Sequence, residues 1–406
     1  MKKDIFWNSI GTAAWSFLSL ALLIIVTRIN GIYESGVFSF SFAFAMIIYV
    51  VCCYGGRAYQ VSDHKKEIST TSYISLRLVT SLLALTGALL FIFLNDYGLD
   101  KALLLVVLVG HRIFDAIADV FYAVLQKQRH LYIAGKSMFY KSIISLILFL
   151  TIDLATSNLL FSALTLPFVS LLFIIFYDYP ESKKYEKFTV KFNPRDSRRI
   201  LKVTFLAFSI SVIVLVFANI ARYFIDLYHP NLQGYFGIII MPLTVVILLF
   251  SFVLNPAILR LTEMYSNQEF KELRKIILKI IYLLLAVTLI LCVGVYLFGS
   301  PILKILFGID FSEFIFDIML VIIIGFILSI TSLFTNIAII ARKLRVTSFV
   351  YLATNITLVV LCALLVEKLE IRGAIISYII ASFTQMMIIG VYYLNLTSSQ
   401  KPSKKS

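Results

Sequence analysis

Twelve apolar stretches occupy most of this 406-residue chain, at roughly 6–28, 37–56, 74–94, 102–125, 131–152, 155–177, 199–227, 235–258, 276–298, 313–341, 347–366 and 373–394. At about 1.5 Å of rise per helical residue, each is long enough to cross a hydrocarbon layer of ~30 Å. The longest linker between them, Asp178 to Arg199, is about twenty residues. No room is left for a soluble domain, so the chemistry must lie among membrane-spanning segments. These have to be helices, because a membrane barrel alternates apolar and polar residues in pieces of ~10 residues and this chain does not.

Charged residues make up 14% of the chain, against about 25% in soluble domains, which fits a chain mostly immersed in lipid. A formal charge of +14 would point to nucleic acid in a soluble protein; here position accounts for it. With the N-terminus in the cytoplasm and alternate crossings, 24 of the 36 Lys and Arg fall in inner loops and tails. Only 5 fall outside: Arg28, Lys101, Lys304, Lys368 and Arg372. That is the positive-inside pattern, and it predicts two cytoplasmic termini and no nucleic-acid partner. Met1-Lys2-Lys3 before an apolar run resembles a secretory signal, but the run is too long and lacks a small-residue cleavage site, so it reads as the first span.

Several chemistries have no support. Cys52, Cys53, Cys292 and Cys362 lie inside apolar runs at no metal-ligand spacing and read as packing residues. His64, His111, His130 and His229 are scattered, with no HExxH cluster, and no GxxxxGK[ST] phosphate loop occurs. No metal, cofactor or ATP hydrolysis is therefore expected.

The basic linker divides the chain into two sets of six spans: 1–190 as an N-terminal bundle with its linker, 191–398 as a C-terminal bundle, and 399–406 as a basic tail. The halves echo one another in the same sense. Arg28 precedes Gly36-Val37-Phe38 as Arg222 precedes Gly234-Tyr235-Phe236, and Lys127-Gln128-Arg129 matches Lys343-Leu344-Arg345. Parallel repeats related by an axis along the membrane normal are a transporter arrangement.

Span 4 carries the most informative polar residues. Arg112, Asp115, Asp119, Tyr122 and Gln126 recur in steps of three and four and fall along one helical face, with His111 beside them. Facing lipid, each charge would cost roughly 2.5–3.5 kcal/mol. The cost falls if the stripe faces a watered cavity and Arg112 pairs with Asp115 or Asp119. Such a pair could simply fix span 4 against its neighbours. Two carboxylates against one Arg would leave surplus negative charge, and His111, Asp115 and Asp119 are the candidates for taking up a coupling ion.

Further intramembrane cations are Arg28, Arg77, Lys141 and Arg222; Lys136, Lys202 and Lys279 lie within snorkelling distance of the interface. If Arg28, Arg77, Arg112, Lys141 and Arg222 line one cavity, its lumen suits an anion such as a phosphate or diphosphate headgroup. The planar fork of Arg fits phosphate oxygens bidentately. For Arg28 alone, an interfacial anchor is the simpler role.

Motifs bring a family into view. Arg57-Ala-Tyr-Gln60-Val-Ser-Asp63, followed by Tyr73-Ile-Ser-Leu-Arg77, resembles the segment after span 2 of Wzx-type polysaccharide repeat-unit flippases. Asp115-Ala-Ile-Ala-Asp119-Val-Phe-Tyr122-Ala-Val-Leu-Gln126-Lys127 is similar to the end of their span 4, and Ala134-Gly135-Lys136-Ser137 to the start of their span 5. Asn219-Ile-Ala-Arg222-Tyr223-Phe-Ile225 resembles their span 7, with Ala221 where proline commonly precedes Arg-Tyr. The resemblance implies the multidrug/oligosaccharidyl-lipid/polysaccharide exporter fold, all-α, with two six-helix bundles around a central cavity. It implies movement of an undecaprenyl-diphosphate-linked oligosaccharide to the outer leaflet of a bacterial cytoplasmic membrane. A polysaccharide polymerase and glycosyltransferases are the partners it implies.

Two rival readings remain at this point. A multidrug/ion antiporter of similar architecture would need surplus acid for organic cations, whereas the deep charges lean basic. A membrane-embedded glycan polymerase would devote a large outer loop to catalysis, whereas the longest outer loop, about 299–312, is short. A scaffold subunit would leave the charges of span 4 unexplained.

Overall fold

The computed structural model describes residues 2–63, 67–341 and 344–398. Among these no strand occurs, and the chain runs from helix to helix. The order is α1 (Lys2–Ile29), α2 (Ile32–Cys53), the short α3 (Gly56–Ser62), α4 (Thr70–Leu94), α5 (Leu99–Lys127), α6 (Leu131–Thr156) and α7 (Leu159–Phe173). After α7 a π turn, Ile174–Asp178, leads without a break into α8 (Tyr179–Tyr185). Then follow α9 (Pro194–Tyr228), α10 (Gln233–Ile239), α11 (Met241–Ser266), α12 (Phe270–Phe307), α13 (Ile315–Ile340) and α14 (Leu344–Ser398).

Ten helical segments of the described chain are long and apolar enough to cross a membrane. Two adjustments bring this to the twelve crossings read from the sequence. The run from Leu344 to Ser398 bends at Glu370, whose φ of 53° and ψ of −131° are not helical, and so supplies two crossings. The charges Arg112, Asp115 and Asp119 keep α5 outside a purely apolar count. The chain is thus a multi-pass membrane protein.

Local sequence explains where helices start. Asn158 opens α7 by accepting the N–H groups of Leu160 and Phe161 at 3.0 and 3.2 Å, and Ser69 opens α4 by accepting that of Ser72 at 3.3 Å. Helices also run further than hydropathy alone suggests. The polar stretch 260–275 shrinks to a turn, since α11 continues to Ser266 and α12 begins at Phe270. The loop read at 299–312 likewise contracts, because α12 reaches Phe307 and is closed by Gly308 in the left-handed region at φ 77°. In 260–275 the cause is that charged residues propagate a helix well once it has left the bilayer.

The chain packs as two compact units, the first ending at Leu215 and the second beginning at Val216. In the first, α5 is the axis, touching α2, α3, α4, α6, α7 and α8. The most extensive pairing there is α1 against α6, and two glycines allow it. A Cβ on Gly11 would fall 2.2 Å from the Gly135 carbonyl oxygen, and one on Gly135 would fall 2.4 Å from that of Trp7. Small residues let backbones approach in this way where lipid gives no hydrophobic drive for helix association. In the second unit α13 takes the central place, against α11, α12 and α14. Its core gathers Phe250, Leu254, Leu273, Ile277, Leu333 and Ile337.

Candidate functional site

The polar residues of span 4 lie on α5, inside the first unit. His111, Arg112, Asp115 and Asp119 are all buried. The Arg112 guanidinium lies 4.7 Å from the ring of Trp15 and 4.5 Å from that of Phe42, a cation–π setting on two sides. It donates to Asp115 Oδ2 at 2.8 Å. Lys141, from α6, donates to Asp115 Oδ1 at 2.5 Å, and Trp15 Nε1, from α1, donates to Oδ2 at 3.0 Å. His111 completes the group: its Nε2 lies 3.8 Å from Asp115 Oδ2, and its Nδ1 is 3.0 Å from Ser170 Oγ on α7. One carboxylate thus ties together α1, α5 and α6, with α7 joined through histidine.

One turn further along α5, Asp119 forms a second group. Arg57 donates from Nη1 to Asp119 Oδ1 at 2.8 Å, and from Nε and Nη2 to Gln126 Oε1 at 3.2 and 3.1 Å. Arg77 Nη2 lies 3.6 Å from Asp119 Oδ2, while its Nη1 donates at 2.9 Å to the Ala116 carbonyl and to Cys53 Sγ. Gln60 of α3 donates to the Val120 carbonyl at 3.4 Å, docking α3 on α5. A third group joins Tyr122 to Ser137 Oγ at 3.0 Å and to Asp178 Oδ2 at 3.5 Å. The π turn that carries Asp178 supplies this last partner.

These positions correct the sequence reading in one respect. The stripe from Arg112 to Gln126 does not act as one ladder with surplus acid. It resolves into three groups, each completed by neighbouring helices, and the balance is reversed: Arg57, Arg77, Arg112 and Lys141 surround Asp115 and Asp119. A single-helix reading counts only Arg112 because the other cations come from α3, α4 and α6.

The remaining candidates are dispersed. Asp63 directly follows α3, its carboxylate accepting the N–H groups of Glu67 and Ile68 at 3.0 and 3.1 Å. Arg28 stands exposed in the last turn of α1. Arg222 and Tyr223 belong to the second unit, both partly buried on α9, with Tyr223 edge-on to Phe224 at 5.8 Å. His64, Lys343 and the tail 399–406 lie outside the described residues. Trp15, Ser170 and Asp178 of the α5 groups went unread in the sequence. Trp15 carries no local signal, and Asp178 sits where an apolar run ends and so passes for the start of a linker.

No known protein-family profile matches the chain. Its fold is that of membrane transporters of the MOP superfamily. An inward-facing multidrug resistance MATE family transporter of that superfamily superposes with a TM-score of 0.72 at 13% identity, over 98% of both chains. The lipid II flippase MurJ in an inward closed conformation gives 0.71 at 16% identity, over 98% of this chain and 88% of MurJ. By sequence, the chain is 24% identical to the capsular polysaccharide biosynthesis protein CapF of Staphylococcus aureus, over 97% of this chain and 98% of that protein. These relatives agree with the resemblance to Wzx-type flippases drawn from the motifs.

Proposed function

We propose that this protein is a flippase that carries undecaprenyl-diphosphate-linked oligosaccharide repeat units from the inner to the outer leaflet of a bacterial cytoplasmic membrane. The observation that carries the reading is the end-to-end similarity to a capsular polysaccharide biosynthesis protein, 24% over 399 residues. The excess of basic over acidic groups around α5 supports it, since an anionic headgroup is favoured near surplus positive charge. Both termini face the cytoplasm in this reading, in line with the 24-to-5 distribution of Lys and Arg. Transport proceeds by alternating access and is coupled to an ion through His111, Asp115 or Asp119. A polymerase and glycosyltransferases supply and consume the cargo.

Arg77, Arg112 and Lys141 are already held by carboxylates or carbonyls. Their role in this scheme is to set the positive field, and a phosphate would compete with Asp115 and Asp119 for them. Arg222, on α9 of the second unit, is the candidate for a direct diphosphate contact, and Arg28 keeps the simpler role of interfacial anchor. The rival with the same fold is a multidrug antiporter, and the basic surplus weighs against it because organic cations would be repelled.

The test is surface polysaccharide in a deletion strain complemented with each variant, with membrane levels checked by blotting. Arg222→Ala should abolish the polysaccharide, and Arg222→Lys, which keeps charge but loses the fork, should restore part of it. Full polysaccharide from a well-expressed Arg222→Ala protein removes the direct-contact role. Failure of the purified protein in vesicles to move a fluorescent undecaprenyl-diphosphate oligosaccharide sinks the flippase reading.

A further inference from the structure

The linker before α9 is built as a platform. Phe188 is buried against Tyr73, Phe121 and Ile200. Glu186 accepts from Thr70 Oγ1 at 2.6 Å, Asp196 accepts from Ser72 Oγ at 2.6 Å, and the Thr189 N–H donates to Thr71 Oγ1 at 3.2 Å. The strap is therefore fastened along the start of α4, and its acidic side chains are spent on that fastening.

What remains outward is basic. Lys187, Lys191, Arg195, Arg198 and Lys202 are exposed. Arg195, Arg198, Arg199 and Lys202 follow a spacing of three, four and seven, which places them on one face of the first two turns of α9. With Pro194 they border a shallow groove, largely open to solvent, along that single helix face. Arg199 is paired with Glu67; among the described residues no carboxylate pairs with Arg195, Arg198 or Lys202.

Depth identifies the occupant. From Val203 to Ala221, α9 carries no charged residue, and about twenty helical residues span ~30 Å of hydrocarbon. Lys202 is the last charge before that run, so the groove sits at the level of lipid phosphates. Val203 and Phe205 below it are exposed, as are Val190 and Phe192 on the strap, the side-chain types that enter the acyl boundary. Positive-inside bias alone calls for basic residues on this side. It does not call for acids turned inward or for cations aligned on one face.

We propose that Arg195, Arg198 and Lys202 form a binding groove for the headgroup of an anionic phospholipid of the surrounding leaflet. The phosphate diester would lie across the three cations while its chains run beside Val203 and Phe205. This lipid is a resident ligand, so the inference stands apart from the flippase reading, and its test reads lipid retention.

The full-length protein, purified in mild detergent, is titrated with phosphatidylglycerol and separately with phosphatidylcholine, with bound lipid counted by native mass spectrometry and thermal stability followed. Phosphatidylglycerol should be retained and should raise the melting temperature; phosphatidylcholine should do neither. In R195Q/R198Q/K202Q the affinity should fall by on the order of tenfold to a hundredfold, about fivefold at most for each basic group removed at an anionic surface. K183Q/K184Q/K275Q, with the same loss of charge elsewhere on exposed positions, should bind as the parent does. Equal retention by the groove variant and the parent overturns the proposal, as does equal loss in the two triple variants. Stabilisation by sodium phosphate equal to that by phosphatidylglycerol also overturns it, because the ligand would then be a free anion.

Discussion

The two units place a helix of opposite character at their centres. In the first, α5 buries His111, Arg112, Asp115 and Asp119 and is held by charge-assisted bonds from α1, α3 and α6. In the second, α13 buries Val321, Ile322, Ile324, Leu333 and Ile337. Two of its buried hydroxyls are satisfied within the helix, Ser329 donating to the Gly325 carbonyl at 2.7 Å and Thr331 to that of Ile327 at 2.9 Å, while Thr335 meets the Tyr351 hydroxyl of α14 at 3.3 Å. The buried carboxylate of α13, Asp317, stands near its start, 3.6 Å from the exposed Arg372. The difference is one of tolerance. An apolar interface loses stability in proportion to the volume removed, whereas a buried ionic group fails when one member is lost.

That contrast is open to attack at its strongest point. Asp115→Leu should destabilise the protein by about 3–5 kcal/mol, because Lys141 and Arg112 are left buried without a counter-charge. Ile324→Val on α13 should cost only about 1 kcal/mol. R112L/D115L/K141M should recover much of the loss, since it removes the stranded charges together. Melting in detergent and the yield of monodisperse protein measure all three, and the contrast fails if Asp115→Leu is no worse than Ile324→Val.

Next in size is the packing of small residues. Gly135→Ala should cost about 1–3 kcal/mol, the usual penalty for overpacking. The new methyl would meet the backbone of Trp7 and Asn8, which cannot yield without moving α1. Gly325→Ala in the second unit would meet the Val246 side chain, 2.8 Å away at its Cβ, which a small helix shift can relieve. A smaller loss of melting temperature is expected there; the reverse order would place the rigid contact in the wrong unit.

A smaller effect is expected at the rim of the α5 network. Arg57→Ala removes the bonds to Asp119 and Gln126, but Arg57 is a third exposed and Arg77 remains near Asp119. About 1 kcal/mol is expected, with the loss shrinking as salt is raised. Smallest of all, Lys184→Ala and Lys275→Ala, each breaking an exposed pair with a glutamate three residues earlier, should leave the melting temperature unchanged.

The contrast between units also shows what a sequence can disclose. The crossings were legible because a bilayer imposes one length and one composition on each, and both are local properties. Arg112 with Asp115 was legible for the same reason, being three residues apart on one helix. Lys141, Arg57, Arg77 and Trp15 as their neighbours were not, because those contacts depend on how α1, α3, α4 and α6 pack on α5. The length of α12 was hidden differently. Its first two turns hold Lys271, Glu272, Arg274 and Lys275, and hydropathy reads such a stretch as loop although its propensity is helical.

The π turn at Ile174–Asp178 has an evolutionary consequence. An α-helix advances about 100° per residue, so a π turn, which accommodates one extra residue, rotates everything after it by about that angle. Asp178 is thereby turned toward Tyr122, and Ser182 rather than Lys183 or Lys184 faces inward. The chain before Ile174 and the chain after Asp178 thus follow two helical phases. Relatives that lack the extra residue should align with a single gap within these five positions, and should carry their inward acid one place displaced or not at all.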